Sequence, residues 1–446
     1  MKKQYIKMYS SSILTFLFFT VLLSAAVATL PLNQTFSFVN SGTYVERLDE
    51  YNLWFRAVNL LSEDTPAGHN AYQVCFYNAT PGEYTLAFRL KWGDWESVRQ
   101  WVWEANPGNP VGENAVFSLL SNGNLVLKEA DGRVVWQTNT ADKGVARFRF
   151  LYTGNMVLYD GNNKPLWQSF DYPTTTLVAG QYLKLRGPAK IASRPLTSRA
   201  AAGPYSLELE PTGLALYYTS PVDKQKYKYF SSNWFQKTLK QVTLSSPRAV
   251  GKGSYEVSLD SQSGERFVLS RTNFNPNYTF VRITEEGNLK LRLFLSTADL
   301  EQETEAFTLF SNKSRWGSEC DLPSKCGSFG LCQDNKCVAC PTGNSKTQTA
   351  SLWPWKEGCR AQTLKSCLPK DFYYYQLVGV DHFSTKYSKG EGSITQAACS
   401  AKCSSNCKCQ GFFYQKETQK CWTINDLKTL IKVKNNAHVA FIKAPK

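Results

Sequence analysis

The sequence predicts a mostly β protein with several domains, and three observations lead to this prediction. Aromatic residues are frequent, with 12 Trp and 23 Tyr among 446 residues, and such side chains favour strands. A short phrase with a Gly turn and an alternating strand recurs along the first three-quarters of the chain. No long run with helical periodicity interrupts it before residue 300. At roughly 150 residues per domain, the length indicates about three domains.

The N-terminus has the pattern of a secretory signal. Three lysines precede the largely apolar run Ile13–Leu23, and small residues follow that permit cleavage after Ala28. The run has 11 residues, and about 20 are needed to span a bilayer, which disfavours a retained anchor. We therefore expect residues 1–28 to be removed and the mature chain to be extracellular, with no membrane span. Its net charge is +12, which is +15 less the three lysines of the signal.

Four Asn-x-Ser/Thr sequons agree with export of the chain. Each match is short, so we expect glycans on at least two of the four. The acceptor residues are Asn33, Asn78, Asn277 and Asn312.

The recurring phrase defines the large N-terminal part of the protein. It occurs as LSNGNLVLK at 120–128 and as LYTGNMVLY at 151–159, with weaker copies at 210–218 and 284–292. In each copy we predict a turn at the Gly followed by a strand of alternating residues. After the first two copies, a second turn leads to Trp136 or Trp167. The unit is therefore strand, tight turn and strand with an aromatic anchor.

These repeats, with WVWEANPGNPVGEN at 101–114 and WQSFDYPT at 167–174, resemble a plant bulb-type lectin domain. The order of domains resembles the ectodomain of S-domain receptor kinases and the epidermis-specific secreted glycoproteins. The resemblance implies tandem β-prism II domains, each with three four-stranded sheets around an axis filled by Trp. Residues 29–170 would form the bulb-type lectin domain and 171–315 a second, divergent, S-locus-glycoprotein-like prism. We expect a basic linker into the second prism, with Lys184, Arg186, Lys190, Arg194 and Arg199.

Cysteine positions separate this large part from a smaller one. Twelve of the 13 cysteines lie between Cys320 and Cys421, and the other is Cys75. Even numbers at tight spacing in an exported chain favour disulfides. The Cys337-x-x-Cys340 pattern allows zinc as an alternative, but no His is near and the exterior is oxidising. We expect no metal and no cofactor, and we expect Cys75, among apolar neighbours, to be a buried structural thiol.

The first six of the twelve cysteines bracket a loop-rich stretch at 316–362. Spacing alone permits fifteen connectivities. The stretch resembles an EGF-like module, and the resemblance implies three pairs. They are Cys320–Cys332, Cys326–Cys337 and Cys340–Cys359.

Residues 363–446 contain the second six cysteines. Ser393–Gln396 is a capping-box pattern that predicts a helix, on which Cys399, Cys403 and Cys407 would share one face. A strand over 410–414 follows. This segment resembles the PAN/apple module, and the resemblance implies the pairs Cys367–Cys407, Cys399–Cys421 and Cys403–Cys409.

The resemblance to bulb-type lectins also implies a sugar site, since that family binds mannose through Gln-x-Asp-x-Asn-x-Val-x-Tyr. Alternation would place the five side chains on one face of a strand. The corresponding residues of the first copy are Leu120, Asn122, Asn124, Val126 and Lys128. Those of the second copy are Leu151, Thr153, Asn155, Val157 and Tyr159.

Both copies are degenerate, because Leu replaces Gln and Asn or Thr replaces Asp. The lost hydrogen bonds would remove about 1–4 kcal/mol, or roughly one to three powers of ten in affinity. The alternative is that the Asn and Val side chains persist because they build the prism. The second copy keeps Asn155, Val157 and Tyr159 and is the better candidate.

Other functions have less support in the sequence. The chain has three His, none in a catalytic motif, and we expect His382, beside Asp381, on the surface or in a turn. Residues 316–446 have 18 Lys and Arg against 9 Asp and Glu, and this excess of positive charge would favour binding of acidic polysaccharides.

We predict a non-catalytic, secreted glycoprotein of the cell wall or apoplast that recognises mannose-type glycans or high-mannose glycoproteins. The alternative is a sugar-inactive scaffold that binds acidic wall polysaccharide or extracellular proteins through the PAN region. Export excludes nucleic acid as a partner.

Overall fold

The computed structural model describes residues 30–43, 54–63, 70–92, 101–187, 189–194, 201–296, 301–364 and 366–446. The predicted signal segment, residues 1–28, lies outside these ranges. Strands dominate the described residues, and the mostly β prediction is confirmed. Short 3-10 turns occur at Leu32–Gln34, Ser169–Asp171, Glu319–Asp321 and Thr385–Tyr387.

Three antiparallel sheets form the first prism. Its strands are β1 (Phe36–Val39), β2 (Phe55–Leu61), β3 (Asn70–Thr80), β4 (Glu83–Trp92), β5 (Trp101–Glu104), β6 (Val116–Leu119), β7 (Leu125–Lys128), β8 (Val134–Gln137), β9 (Val145–Phe150), β10 (Met156–Asp160) and β11 (Pro165–Gln168). The sheet orders are β1-β6-β7-β8, β2-β3-β4-β5 and β11-β10-β9. The third sheet has three strands among the described residues, not four, and a parallel bridge from Glu63 to Leu151 borders it.

Three tryptophans fill the axis of the first prism. Trp103, Trp136 and Trp167 come from β5, β8 and β11, one from each sheet. Their ring centroids are 5.7 Å, 5.8 Å and 6.2 Å apart, all with edge-to-face geometry. Edge-to-face contact is a favoured arrangement for aromatic rings, and here it joins the three sheets. The expectation of a Trp-filled axis is confirmed.

The second prism repeats this plan with three four-stranded sheets. Its strands are β12 (Thr176–Val178), β13 (Tyr182–Lys184), β14 (Lys190–Ala192), β15 (Tyr205–Glu210), β16 (Gly213–Thr219), β17 (Lys226–Ser231), β18 (Gln241–Gly251), β19 (Ser254–Ser261), β20 (Arg266–Thr272), β21 (Tyr278–Ile283), β22 (Leu289–Ser296) and β23 (Glu301–Thr308). The sheet orders are β12-β21-β22-β23, β13-β18-β19-β20 and β14-β15-β16-β17. Trp234 stacks on Phe267 with ring centroids 4.0 Å apart, and Trp316 packs edge-on against both.

The expected basic linker between the prisms is wrong, because its residues belong to the second prism. Lys184 ends β13 and Lys190 begins β14. Arg194 is buried, with its guanidinium 4.7 Å from the ring centroid of Tyr77. In the sequence these Lys and Arg residues form a basic run without acids, which is typical of a linker. The run was misread because the carboxylate and aromatic partners of these side chains are distant along the chain. Arg199 lies outside the described residues.

The cysteine-rich part contains one α-helix and two sheets within the described residues. The elements are β24 (Leu331–Gln333), β25 (Lys336–Gly343), β26 (Ala350–Pro354), β27 (Phe372–Val378), β28 (Val380–His382), α1 (Gln396–Ser405), β29 (Gly411–Gln415), β30 (Lys420–Ile424), β31 (Leu430–Lys432) and β32 (His438–Pro445). We call residues 316–362 the EGF-like module and residues 363–446 the apple-like module. One sheet, β27-β32-β29-β30, lies within the apple-like module.

The other sheet of this region crosses between the two modules. Its order is β26-β25-β24-β31-β28, so two strands of the apple-like module complete a sheet begun in the EGF-like module. The crossing pair is β24 with β31, which run parallel with Leu331 opposite Leu430. The two modules therefore share backbone hydrogen bonds and do not form separate structural units.

Six disulfides hold the cysteine-rich part together, and they join the same pairs that the resemblance implies. In the EGF-like module they are Cys320–Cys332, Cys326–Cys337 and Cys340–Cys359. In the apple-like module they are Cys367–Cys407, Cys399–Cys421 and Cys403–Cys409. Cys75 takes part in none of the six and is completely buried in β3.

Two expectations about the apple-like module are wrong in detail. The helix is capped by Thr395, whose hydroxyl accepts a hydrogen bond from the Ala398 amide at 3.2 Å, and not by Ser393. Thr395 has the extended backbone that an N-cap requires, whereas Ser393 has a φ of +56°. The helix ends at Ser405, so Cys407 lies beyond the helical face that Cys399 and Cys403 share.

Candidate functional site

The second copy of the repeat begins at a tight turn that requires glycine. Gly154 has a φ of +83°, and a Cβ built on it would lie 2.9 Å from the ring of Tyr72. Its amide donates to the Leu151 carbonyl at 2.9 Å, which closes the turn immediately before β10. Met156 and Leu158 of β10 then belong to the prism core. By alternation, Asn155, Val157 and Tyr159 lie on the opposite face, as the motif requires.

The carboxamide of Asn155 is used mainly inside the protein. Its Nδ2 donates to Gln168 Oε1 at 2.9 Å, and its Oδ1 accepts from Ser169 Oγ at 3.3 Å and from the Phe170 amide at 3.2 Å. The residue is buried, and one of its two Nδ2 hydrogens is left for another acceptor. Asn155 therefore fixes the turn after β11, whatever else it does.

The equivalent residue of the first copy has the same role. Asn124 Nδ2 donates to Gln137 Oε1 at 2.8 Å, and its Oδ1 accepts from Thr138 Oγ1 and the Thr140 amide, both at 3.1 Å. Asn122 is only half-buried, and its Oδ1 accepts from the Asn124 amide at 3.1 Å. The bonds from Asn124 hold the turn that follows β8, and the bond to Asn122 lies in the turn before β7.

The weak copy at 284–292 has a third such residue. Asn288 Nδ2 donates to the Phe310 carbonyl at 2.8 Å, and its Oδ1 accepts from the Phe310 amide at 3.0 Å. This copy lacks the rest of the sugar motif and still keeps its Gly-Asn pair. A Gly-Asn pair that is kept in a copy without the other sugar-binding residues indicates, already in the sequence, that the Asn has a structural role.

The remaining motif residues differ in how far solvent reaches them. Val126 and Val157 are both 1% exposed, so their side chains are part of the packed face of the sheet. Lys128 and Tyr159 are half-buried. The guanidinium of Arg147 lies 5.3 Å from the ring centroid of Tyr159, within the range of a cation–π contact. Tyr159 and Thr153 are therefore the motif residues of the second copy whose hydroxyls lie in half-buried positions.

A polar cluster, which sequence reasoning missed, lies next to this copy. We call Gln168, Asp171, Tyr182 and Lys184 the polar cluster. Gln168 Nε2 donates to Asp171 Oδ2 at 3.1 Å and to the Tyr182 hydroxyl at 3.0 Å. Asp171 Oδ1 accepts from the Tyr182 hydroxyl at 2.5 Å and from Lys184 Nζ at 3.2 Å. The side chains of Asp171 and Lys184 are 36% and 39% exposed, so solvent reaches the cluster.

The electrostatics of the polar cluster favour charged Asp171. Partial burial acts to raise its pKa, but hydrogen bonds from Tyr182, Gln168 and Lys184 together hold the pKa below its ordinary value. Partial burial and the neighbouring carboxylate raise the pKa of Tyr182. The phrase WQSFDYPT contained Gln168 and Asp171, but Tyr182 and Lys184 come from the second prism, so only folding assembles the set.

A buried acid lies elsewhere at the contact between the prisms. Glu104 is 3% exposed and accepts a hydrogen bond from the Tyr77 hydroxyl at 3.0 Å. Burial raises the pKa of Glu104, while the nearby Arg194 guanidinium opposes the shift. A cavity of about 430 Å³ adjoins this carboxylate and is lined mainly by apolar and hydroxyl side chains. Among the described residues that line this cavity, no nucleophilic side chain lies beside a general base.

His382 is buried, which corrects the expectation of a surface or turn position. It is 1% exposed, and its ring packs against Tyr227 of the second prism and against Phe383 and Phe413. Its Nδ1 lies 2.7 Å from Ser384 Oγ. Burial lowers the pKa of His382 to about 3. The ring is therefore a neutral packing element between the second prism and the apple-like module.

The four sequon asparagines all lie before the EGF-like module. Asn33, Asn277 and Asn312 are exposed, and Asn78 is half-buried in β3. In the parts of the chain that the structure describes, no group of three or more His, Cys, Asp or Glu could hold a metal ion. No helix within those parts is long and apolar enough to cross a membrane.

Comparison with known proteins identifies relatives of this fold. A family model described as D-mannose binding lectin matches residues 100–199. The chain is 41% identical to EP1-like glycoprotein 4 of Arabidopsis thaliana, over 98% of this chain and 97% of that protein. It is 39% identical to the epidermis-specific secreted glycoprotein EP1 of Daucus carota, over 81% of this chain and 96% of that protein.

A more distant relative is the G-type lectin S-receptor-like serine/threonine-protein kinase SD2-5 of Arabidopsis thaliana. The identity is 24%, over 73% of this chain and 38% of the kinase. The resemblances to bulb-type lectins and to S-domain receptor kinases are thus both confirmed. Because identity of 41% extends over nearly the full length of both proteins, the chain belongs to the family of EP1-like glycoproteins.

Proposed function

We propose that the protein is a secreted, non-catalytic glycoprotein of the cell wall or apoplast that recognises mannose-type glycans through its first prism. One observation carries this proposal. The segment that matches the D-mannose binding lectin family, residues 100–199, contains the second copy of the repeat and the solvent-reached polar cluster beside it. High-mannose glycoproteins would be the natural ligands. The secretory signal pattern, the exposed sequons and the name of the carrot relative support the location.

The polar cluster offers the groups that the second copy lacks on its own strand. The family motif has Gln and Asp where this copy has Leu151 and Thr153. Gln168 provides an amide, whose Oε1 accepts a hydrogen bond of 2.9 Å from Asn155, and Asp171 provides a carboxylate on the neighbouring turn. In the proposed site, Tyr159 and these two side chains bind the sugar hydroxyls. Asn155 adds its remaining N–H, and Val157 supports the face.

The affinity expected of such a site is low. Few exposed hydrogen-bonding groups remain, and a Kd of about 1 mM corresponds to roughly −4 kcal/mol. Useful recognition then requires ligands that present many mannose residues and engage several protein molecules on one surface. The second copy, with its Tyr and neighbouring cluster, should dominate over the first copy, which has Lys128 in place of the Tyr.

The test uses the full-length secreted protein on dense glycan surfaces. We expect binding to yeast mannan above the level on neutral dextran. Tyr159→Phe should weaken it several-fold, because one hydroxyl is removed without loss of the ring. The matched control is Lys128→Ala in the first copy, which should change binding little. Equal retention of the wild-type protein on mannan and dextran would refute mannose recognition.

A second candidate function is a sugar-inactive scaffold that binds acidic wall polysaccharide or extracellular proteins through its C-terminal part. The observation in its favour is charge, since residues 316–446 have 18 basic against 9 acidic side chains. Retention on polygalacturonate should fall as salt rises above about 0.15 M, where the screening length is about 8 Å. Lys434→Gln, at an exposed position, should lower retention. Salt-independent retention would refute this candidate.

A further inference from the structure

The EGF-like module exposes an unusual amount of apolar surface. Trp353 is 62% exposed and Trp355 is 38% exposed, on or directly after β26. Val338 on β25 and Leu352 on β26 are exposed as well. Clustered apolar side chains in solvent mark binding surfaces more often than isolated ones do. We call β25, β26 and Trp355 the tryptophan ribbon.

We propose that one face of the tryptophan ribbon binds acidic polysaccharide, with Trp353 and Trp355 against the sugar rings and flanking cations on the carboxylates. This inference rests on the second candidate function, recognition of acidic polysaccharide, and assigns it to a surface of the EGF-like module. It is separate from the mannose site proposed for the first prism.

Strand register places the two tryptophans on the same face of the ribbon. Trp353 lies opposite Cys340, and the Trp355 amide donates to the Val338 carbonyl at 3.3 Å. Side chains two residues apart point to the same face of a strand, about 6.6–7 Å from each other. Trp353 and Trp355 therefore share a face with Val338, and Leu352 lies on the other face. A row of two indoles suits a linear chain of pyranose rings, whose C–H faces are apolar.

The ribbon is held in place before any ligand arrives. The Cys340–Cys359 disulfide ties β25 to the segment after Trp355. Trp353 Nε1 donates to Thr342 Oγ1 at 3.1 Å, which limits rotation of that indole. A binding surface that is already ordered loses less entropy when it binds. β26 is also the last strand of its sheet: Gln348 and Thr349, just before it, pair with Gln376 of β27, and the strand edge beyond them is open among the described residues.

Charge identifies the kind of polymer. Residues 336–364 contain four cationic side chains and one acidic one, Glu357. All four cations are exposed, and none forms an ion pair with another described residue. The four cationic residues are Lys336, Lys346, Lys356 and Arg360. Lys336 lies two residues before Val338 on β25 and so shares the face of the tryptophans, while Lys356 and Arg360 lie beyond the end of β26, near the Cys340–Cys359 disulfide. Aromatic faces bordered by unpaired cations complement a chain of sugar rings that carry carboxylates.

The decisive variant is Trp353→Ala, with Leu352→Ala as its matched control. Both positions are on β26 and largely exposed, at 62% and 57%, but on opposite faces. Trp353→Ala should weaken binding of the full-length glycoprotein to polygalacturonate at least 10-fold, and Leu352→Ala should leave it unchanged. Lys356→Gln with Arg360→Gln should weaken it several-fold at low salt and flatten its salt dependence. Fully methyl-esterified polygalacturonate, which has no charge, should bind more weakly than the acid form.

Each alternative occupant of the ribbon gives a distinct result. If wild-type protein does not bind polygalacturonate, the second candidate function and this inference both fail. If wild-type and Trp353→Ala proteins bind it equally, only this inference fails, and the charge acts elsewhere. If wild-type and Trp353→Ala proteins both bind dextran sulfate as tightly as polygalacturonate, binding depends on charge alone and this inference also fails. A dimer in sedimentation that Trp353→Ala dissociates would show that a second copy of the chain covers the ribbon, which contradicts the proposal. Equal melting temperatures exclude misfolding as a cause.

Discussion

The Tyr218 hydroxyl of the second prism donates a 2.6 Å hydrogen bond to Asp426 Oδ2 of the apple-like module. Both residues are buried. The Lys428 ammonium lies 5.1 Å from the Tyr218 ring centroid. Burial, together with the Asp426 carboxylate, raises the pKa of Tyr218 far above its ordinary value. The contact between prism and module is thus built around a buried acid whose hydrogen-bond donor lies in the other unit.

This contact predicts a large effect of removing one oxygen atom. Tyr218→Phe should lower the free energy of unfolding by about 1–3 kcal/mol, because Asp426 would lose its donor while it stays buried. The control is Tyr217→Phe, whose hydroxyl bonds to half-buried Glu210 and should matter less. Denaturant unfolding measures both variants. Equal stabilities for the two would contradict the importance of the buried pair.

His382 predicts a loss of stability in acid. Its pKa is about 3 in the folded protein because of burial, although the Asp426 and Leu427 carbonyls act to raise it, and about 6.5 in the unfolded chain. Between these values the unfolded chain binds more protons, so stability falls as the pH falls below about 6.5. At pH 5 the loss is about 2 kcal/mol relative to pH 8.

Replacement of the histidine tests this linkage. His382→Gln should flatten the pH dependence of the melting temperature between about pH 4 and 6.5, even if the variant is less stable at every pH. The control is His438→Gln, in which a half-buried ring paired with Asp381 is removed. A pH profile of His382→Gln parallel to that of wild type would show that other groups cause the acid sensitivity.

The internal hydrogen bonds of Asn155 predict a structural defect in addition to any loss of sugar binding. Asn155→Ala should destabilise the protein by roughly 2–3 kcal/mol, since Gln168, Ser169 and the Phe170 amide lose a partner. Asn124→Ala should cost a similar amount. Thr153→Ala, two residues away at a half-buried position, is the control and should be nearly neutral. Melting temperatures that do not change in either Asn variant would contradict this assignment.

The thiol of Cys75 predicts a simple labelling pattern. It is completely buried and outside the six disulfides, so it should react with iodoacetamide only after denaturation. Mass mapping without reductant should then find one alkylated cysteine per chain. Labelling of the native protein, or a disulfide from Cys75 to a cysteine beyond residue 320, would contradict the structure.

The prisms could be predicted from the sequence because their signals are local. A Gly turn, an alternating strand and a Trp such as Trp136 occur within about twenty residues of one another. The use of Asn155 could not be predicted, because its partners lie on a turn 13–15 residues later. Alternation along a strand shows to which face of the sheet a side chain points. It does not show which other protein groups already contact the side chain on that face. His382 was misplaced for the same reason, since Tyr227 of another domain buries it.

The parallel pairing of β24 with β31 has a consequence for biosynthesis. Leu331 finds its neighbour Leu430 only after residue 430 has also entered the export compartment. Disulfides of the EGF-like module can close earlier, because their partners are at most 19 residues apart. Until residues 430–432 arrive, β24 has an open edge that other chains can pair with. A chain truncated before residue 430 should therefore aggregate, and quality control would act on the pairing of β24 with β31.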